Sequence, residues 1–142
     1  MFSRSDNVTV ESTRFTNNLA ADDAGAVYVL AETVGDVRVR DSIFTSNEAI
    51  EDEGGALFHR GDGGTLDVFN SSFSENSCGE DGGAVYTFLN NVTAVRDSIF
   101  VGNRALDDVG GAVAVSRTGN LSVIGSGFTE NFAIEEGGAV SA

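Results

Sequence analysis

Short stretches of alternating apolar and polar residues recur along the chain, and each lies just before a phenylalanine. In every stretch a valine stands five positions before that phenylalanine. The stretches are Val8–Val10, Val37–Val39, Leu66–Val68, Thr93–Val95 and Leu121–Val123. Alternation with β-branched residues predicts half-buried strands. No segment sustains a period of about 3.6 residues over ten positions, so helices are not expected.

Two further motifs follow each stretch in a fixed order. The first, F-x-x-N, recurs at spacings of 29, 29, 27 and 28 residues. Its phenylalanines are Phe15, Phe44, Phe73, Phe100 and Phe128, and its asparagines are Asn18, Asn47, Asn76, Asn103 and Asn131. The second is a pair of small residues followed by alanine and by Val or Leu. The pairs are Ala24-Gly25, Gly54-Gly55, Gly82-Gly83, Gly110-Gly111 and Gly137-Gly138.

This self-similarity indicates one unit stacked on copies of itself. It predicts an all-β fold, a right-handed parallel β-helix (solenoid) of about five coils of 27–30 residues, with three short strands per coil. The strands are the alternating stretch, a segment around F-x-x-N-x-A, and a segment beginning at G-G-A. Coils about 4.8 Å apart would align equivalent side chains. The phenylalanines should therefore stack inside, and the asparagines should bond from coil to coil.

Residues 1–142 are expected to form a single β-helix repeat domain. Within the chain, the number of residues from each small-residue pair to the next phenylalanine is nearly constant. Joining the last residue to the first would give about the same number, so both ends are in register for another coil. Two interpretations remain open. The domain is either a segment of a longer solenoid or a subunit that stacks end to end into a filament.

Either motif alone is common, but ten in strict alternation are specific. They resemble the repeats of the chlamydial polymorphic outer membrane proteins and of related secreted right-handed β-helix proteins of the pectin-lyase-like type. The resemblance covers the whole chain, with one degenerate copy at Ala24-Gly25-Ala26. It implies an extracellular or cell-surface domain of adhesive or structural type with no chemistry of its own.

Composition excludes several functions. The chain has 22 acidic residues against eight Lys plus Arg, a net charge of −14, which argues against nucleic acid as a partner. No apolar run long enough to span a membrane is visible in this segment. The single cysteine, Cys78, aligns with alanines of the other coils and is interpreted as a small core residue. His59 is the only histidine, which disfavours a zinc site or a nucleophile–base pair.

Acidic residues precede every small-residue pair. They are Asp22, Asp23, Glu51, Asp52, Glu80, Asp81, Asp107, Asp108, Glu135 and Glu136. One interpretation is a series of solvated turns whose carboxylates cap backbone N–H groups. The alternative is a run of weak Ca²⁺ sites, because this ion prefers oxygen ligands. No other cofactor is expected.

Three other features leave alternatives open. Tyr28, Phe58 and Tyr86 form one column that faces either a partner or the core. Arg60-Gly61-Asp62 spells the tripeptide of integrin ligands, but R-x-D is also an ordinary turn sequence. Four N-x-[S/T] triplets fit either glycosylation or ordinary turns, and they begin at Asn7, Asn70, Asn91 and Asn120.

The sequence therefore predicts a non-catalytic, extracellular or cell-surface structural or adhesive β-helix. Its expected partners are adjoining repeats or a second copy of itself, and a host-surface or carbohydrate ligand on its flank. Repeat lengths vary little, so no loop insertion walls a cleft, and an enzyme is not expected. The alternative hypothesis is a carbohydrate-binding or polysaccharide-lyase-type β-helix.

Overall fold

The chain forms a parallel β-solenoid in a computed structural model that describes residues 1–4, 7–31, 34–117 and 119–142. Strands pair only with strands one coil away, always in parallel, and no helix occurs in the described residues. This confirms the predicted all-β fold of about five coils. Four sheets run along the axis, and we name them after their recurring residues.

The valine sheet contains β2 (Asn7–Glu11), β6 (Asp36–Arg40), β10 (Thr65–Phe69), β14 (Val92–Arg96) and β18 (Asn120–Ile124). The phenylalanine sheet contains β3 (Arg14–Thr16), β7 (Ile43–Thr45), β11 (Ser72–Ser74), β15 (Ile99–Val101) and β19 (Gly127–Thr129). The alanine sheet contains β4 (Leu19–Ala20), β8 (Glu48–Ala49), β12 (Ser77–Cys78), β16 (Arg104–Ala105) and β20 (Phe132–Ala133). The GGA sheet contains β1 (Phe2–Ser3), β5 (Val27–Ala31), β9 (Leu57–Gly61), β13 (Val85–Phe88), β17 (Val113–Ser116) and β21 (Val140–Ser141).

The number of strands per coil corrects the sequence prediction, because each full coil has four strands and not three. The F-x-x-N-x-A segment bends at the residue before its asparagine, which has φ between 52° and 64° in all five coils. One residue in this left-handed region redirects the backbone, so the expected single strand becomes two. Four of these five residues are not glycine, as with Ser46 and Glu75, which is why the bend left no obvious signal in the sequence.

The phenylalanines of F-x-x-N form one stacked column inside the solenoid. Their ring centroids are 4.9, 4.6, 4.8 and 4.8 Å apart, and neighbouring rings lie within 12° of parallel. Phe44, Phe73 and Phe100 are completely buried. Valine, leucine and alanine side chains of the valine and GGA sheets pack around the column. The main core is therefore a continuous apolar cylinder.

The asparagines of the same motif form a hydrogen-bonded column at the bend. In the first four coils the side-chain Nδ2 donates to the Oδ1 of the asparagine in the following coil, at 2.7–2.9 Å. In coils two to five, Nδ2 also donates to the backbone carbonyl of the phenylalanine one coil earlier. The column thus satisfies buried polar groups that the bend removes from strand pairing.

A column of hydroxyl side chains lies two residues before the phenylalanines, and the sequence motifs did not predict it. Ser71, for example, donates from Oγ to the carbonyl of Phe69 at 2.9 Å and accepts the backbone N–H of Ser42 at 3.2 Å. The members are Thr13, Ser42, Ser71, Ser98 and Ser126. Their recurrence at the coil period is the signal that could have revealed them.

The second glycine of the first four pairs has a steric role. A methyl group on Gly83 would overlap the carbonyl oxygen of Gly111 and lie 2.5 Å from backbone atoms of Arg104. The GGA segment therefore passes directly against the backbone of the alanine sheet. A side chain there would push the two segments apart, so the close approach requires glycine.

Candidate functional site

The turns that carry the acidic residues lie against the outer face of the GGA sheet. The first glycine of the pair has a left-handed backbone at Gly54 and Gly82, with φ of 69° at both. A Cβ built on either glycine would lie 3.0 Å from the Cβ of Phe58 or Tyr86, respectively. The turn backbone thus covers this outward-facing column.

The aromatic column is consequently not an open strip. Tyr28 and Phe58 stack at 5.0 Å, and Phe58 and Tyr86 lie 5.0 Å apart in a tilted arrangement. Phe58 is 4% exposed and Tyr86 is 3% exposed. Together with Ala24 and Ala114 they form a small apolar cluster separate from the main core. The column therefore faces outward from the solenoid but is buried by the turns.

A groove remains open beside this cluster. Its volume is about 300 Å³, with the acidic turns on one side and residues of the central strands β9 and β13 on the other. The guanidinium carbon of Arg60 lies 5.3 Å from the centre of the Phe88 ring, and that of Arg117 lies 5.5 Å from the same ring. The lining residues are Asp23, Asp52, Glu53, Phe58, Arg60, Glu80 and Phe88. The groove thus combines carboxylates, a guanidinium and a half-buried aromatic ring.

Three carboxylates meet in the groove wall. Oxygens of Asp23, Asp52 and Glu53 lie within 4.8 Å of one another. Burial, a hydrogen bond with Asp23 and nearby negative charges raise the pKa of Glu53 to about 7. Burial likewise raises the pKa of Asp23 above its ordinary value. A proton on Glu53 is therefore shared with Asp23 near neutral pH.

Glu53 was missed by the sequence analysis. The predicted acidic pair of the second coil was Glu51-Asp52, but one further residue stands between it and Gly54. The backbone bonds from Ala24 N to Glu53 O and from Gly54 N to Asp81 O place Asp23, Glu53 and Asp81 in one column. Counting back from each glycine pair, instead of searching for a doublet, would have aligned them.

The other predicted acidic positions do not converge in this way. Asp81 accepts the backbone N–H of Val109 at 3.1 Å, as a capping carboxylate does. Asp22, Glu51, Glu80, Asp107, Glu135 and Glu136 are exposed. Within the described residues, Asp23, Asp52 and Glu53 are the only group of three close enough to share an ion. Weak Ca²⁺ binding by the turns stays a prediction.

Replacing Glu53 with glutamine should stabilise the protein at alkaline pH. The folded-state pKa of about 7 exceeds the ordinary value of 4.5, so the stability that Glu53 contributes is present below 4.5 and is lost as pH rises through 7. At pH 8 we expect Glu53→Gln to raise the free energy of unfolding by about 1 kcal/mol, after allowance for solvent screening at this half-exposed position. The gain should shrink as pH falls toward 4.5.

Urea unfolding at several pH values measures this effect. Glu51→Gln is the matched control, because it removes the same charge from an exposed position in the same turn. An equal gain in both variants, or a gain for Glu53→Gln that does not depend on pH, would contradict the shared proton.

Other residues singled out from the sequence lie elsewhere. Cys78 is completely buried between Ala49 and Ala105, and burial raises the pKa of its thiol to about 12. Arg60 and Gly61 belong to β9 and Gly61 is buried, so the tripeptide does not form the tip of a turn. The first residues of the four N-x-[S/T] triplets are all exposed, and their glycosylation stays a prediction.

One stretch of the chain matches the model of a known repeat family. Residues 70–88 match the sequence profile of the Chlamydia polymorphic membrane protein repeat. This confirms the resemblance to polymorphic membrane protein repeats at the third F-x-x-N motif and the G-G-A-V that follows it. No curated protein and no solved structure matches the chain.

The polymorphic membrane protein repeat and the solenoid fit a cell-surface β-helix. They also favour a structural protein over an enzyme. Over the residues that the structure describes, no helix has the length and apolar character needed to cross a membrane.

Proposed function

We propose that the protein is a non-catalytic, cell-surface β-helix with a structural and adhesive role. The observation that carries this proposal is that the inner phenylalanine and asparagine columns repeat in every coil, while the outer positions vary. Phe73 and Asn76 have counterparts throughout, whereas Arg40, Phe69 and Arg96 occupy one outer position in successive coils. The interior maintains a rod, and the flank carries the ligand-binding surface.

The chemistry of the flank supports binding over catalysis. Asp23 and Glu53 hydrogen-bond to each other, so neither is positioned as an independent acid or base. The only histidine, His59, is completely buried on the opposite face of the GGA sheet from the groove. Rod-like solenoids present extended surfaces of this kind to their partners.

The ligand class that best suits the groove is carbohydrate. The half-buried Phe88 ring lies between the guanidinium groups of Arg60 and Arg117 and offers its apolar rim to a sugar ring. The carboxylates of Asp52 and Glu53 can accept hydrogen bonds from sugar hydroxyls, and Arg60 can pair with a uronic acid. Cell-surface glycans are thus the adhesive partners that this flank fits.

Titration of the ¹⁵N-labelled protein with neutral and uronic-acid oligosaccharides tests this proposal by NMR. We expect shifts confined to the groove and at least about tenfold weaker binding in Phe88→Ala, since removing an anchor of about 1.4 kcal/mol changes affinity tenfold. Phe69→Ala is the matched control, because Phe69 is an exposed aromatic residue on the valine sheet. Absence of saturable shifts, or equal effects of both variants, would refute the groove as the adhesive site. New reducing or unsaturated ends in the sugars would refute the non-catalytic role.

A second role, end-to-end stacking, is favoured by the sheet edges. Leu19 in β4 and Phe132 in β20 are exposed at opposite ends of the alanine sheet. Their outer edges offer unpaired backbone groups to another coil, supplied by adjoining repeats or by a second copy. Sedimentation of the protein over a range of concentrations distinguishes stacked copies from monomers, and monomers throughout would refute stacking of this chain on itself.

A further inference from the structure

The only histidine lies inside the solenoid, in a column whose other members are apolar or carry a hydroxyl group. His59 is on the inner face of β9, where the neighbouring coils have Val29 and Thr87 and the next has Val115. The imidazole is completely buried. A buried ring with two nitrogens needs a hydrogen-bond partner for each.

Only one of the two ring nitrogens has a hydrogen-bond partner in the protein. The side-chain Nδ2 of Asn90, which is itself buried at the corner between the GGA and valine sheets, lies 2.9 Å from His59 Nδ1. The amide donates in this contact, so Nδ1 accepts and the ring proton of the neutral imidazole is on Nε2. Burial lowers the pKa of His59 to about 4, which keeps the ring neutral at pH 7.

The two remaining polar atoms face a common point. His59 Nε2 and Asn90 Oδ1 are both buried and have no hydrogen-bond partner in the protein. Each lies 3.1 Å from the position that a Cβ on Gly61 would occupy. One is a donor and the other an acceptor, so a single small group that both accepts and donates would satisfy the pair.

We propose that His59, Asn90 and Gly61 form a binding site for one internal water molecule. The water accepts the proton of His59 Nε2–H and donates to Asn90 Oδ1. Gly61 belongs to the site because the absence of a side chain leaves the approach to both atoms open.

The neighbouring coil shows the apolar counterpart of this site. There the paired positions are Val29 and Ala31 in place of His59 and Gly61. The coil with the imidazole thus has glycine where the neighbouring coil has alanine. This is expected if the glycine makes room for the molecule that the imidazole binds.

NMR of the wild-type protein tests the proposal directly. Because the chain has a single histidine, its imidazole resonances need no further assignment. We expect an Nε2–H signal that is protected from exchange and shows a cross-peak to a bound water. A protected signal without that cross-peak would overturn the proposal, as would a ring protonated on Nδ1.

Substitution of Gly61 provides the second test. Gly61→Ala places a methyl group about 3.1 Å from both polar atoms, and should abolish the water cross-peak and lower the melting temperature. Gly127→Ala is the matched control, since a methyl group there meets no atom within 4 Å. The triple variant His59→Val/Gly61→Ala/Asn90→Leu recreates the Val29–Ala31 pair, leaves no buried amide without a partner, and should recover the lost melting temperature. A triple variant as unstable as Gly61→Ala, or an unchanged cross-peak in Gly61→Ala, would overturn the proposal.

Discussion

Replacing Phe73 with alanine is expected to lower the free energy of unfolding by about 3–5 kcal/mol. The ring is completely buried and stacks on both Phe44 and Phe100, at 4.6 and 4.8 Å. Its removal leaves a cavity between these two rings, and each of them then has an unstacked face. The backbone around it is fixed by strand pairing to both neighbouring coils, so the cavity cannot collapse fully.

Urea unfolding followed by circular dichroism measures this decrease. Phe69→Ala is the control, because Phe69 lies on the outer face of the valine sheet and is 36% exposed. A Phe73→Ala protein within about 0.5 kcal/mol of the parent would show that the phenylalanine column does not stabilise the solenoid.

The second large effect is expected from Asn76→Ala, which should lower the free energy of unfolding by about 4 kcal/mol. Its Nδ2 donates to Phe44 O and to Asn103 Oδ1, and its Oδ1 accepts from the backbone N–H and Nδ2 of Asn47. All of these contacts are buried. Truncation leaves several polar groups without partners, and each unsatisfied group adds about 1–3 kcal/mol before the coils relax.

Two comparisons make this measurement specific. Asn91→Ala removes an exposed amide that makes a single bond to Gly63 O, and should cost much less. Asn76→Asp keeps the shape but cannot donate when ionised, so its stability should rise as the pH is lowered and the carboxyl group is protonated. A small loss of stability in Asn76→Ala, or no pH dependence in Asn76→Asp, would argue against the asparagine column as a main stabilising element.

Much of the interior could be predicted from the sequence, since repetition converts a one-dimensional pattern into aligned columns. Phe15 and Phe44, for example, must share a column once coils stack with constant length. The strand count could not be predicted in the same way. It depends on single left-handed residues such as Ser46 and Glu75, whose side chains do not reveal that conformation.

The candidate site was harder to predict than the core. Alternation left the direction of Phe58 open, because the Leu57 column beside it is equally apolar. Its burial depends on how the acidic turn folds back over the sheet, which the spacing does not specify. Glu53 was hidden by the variable length of that turn, and its raised pKa arises from contacts with Asp23 in another coil. The His59 site likewise requires Asn90, which belongs to the next coil.

The asparagine column also gives the molecule a direction. From Asn18 to Asn103 each side-chain amide donates to the asparagine of the following coil, so the amide dipoles align in the same sense along the column. A coil added at one end of the column would meet an oxygen, and a coil added at the other end would meet an N–H group. Any stacked coil would have to keep this direction, because two like ends brought together would oppose donor to donor or acceptor to acceptor.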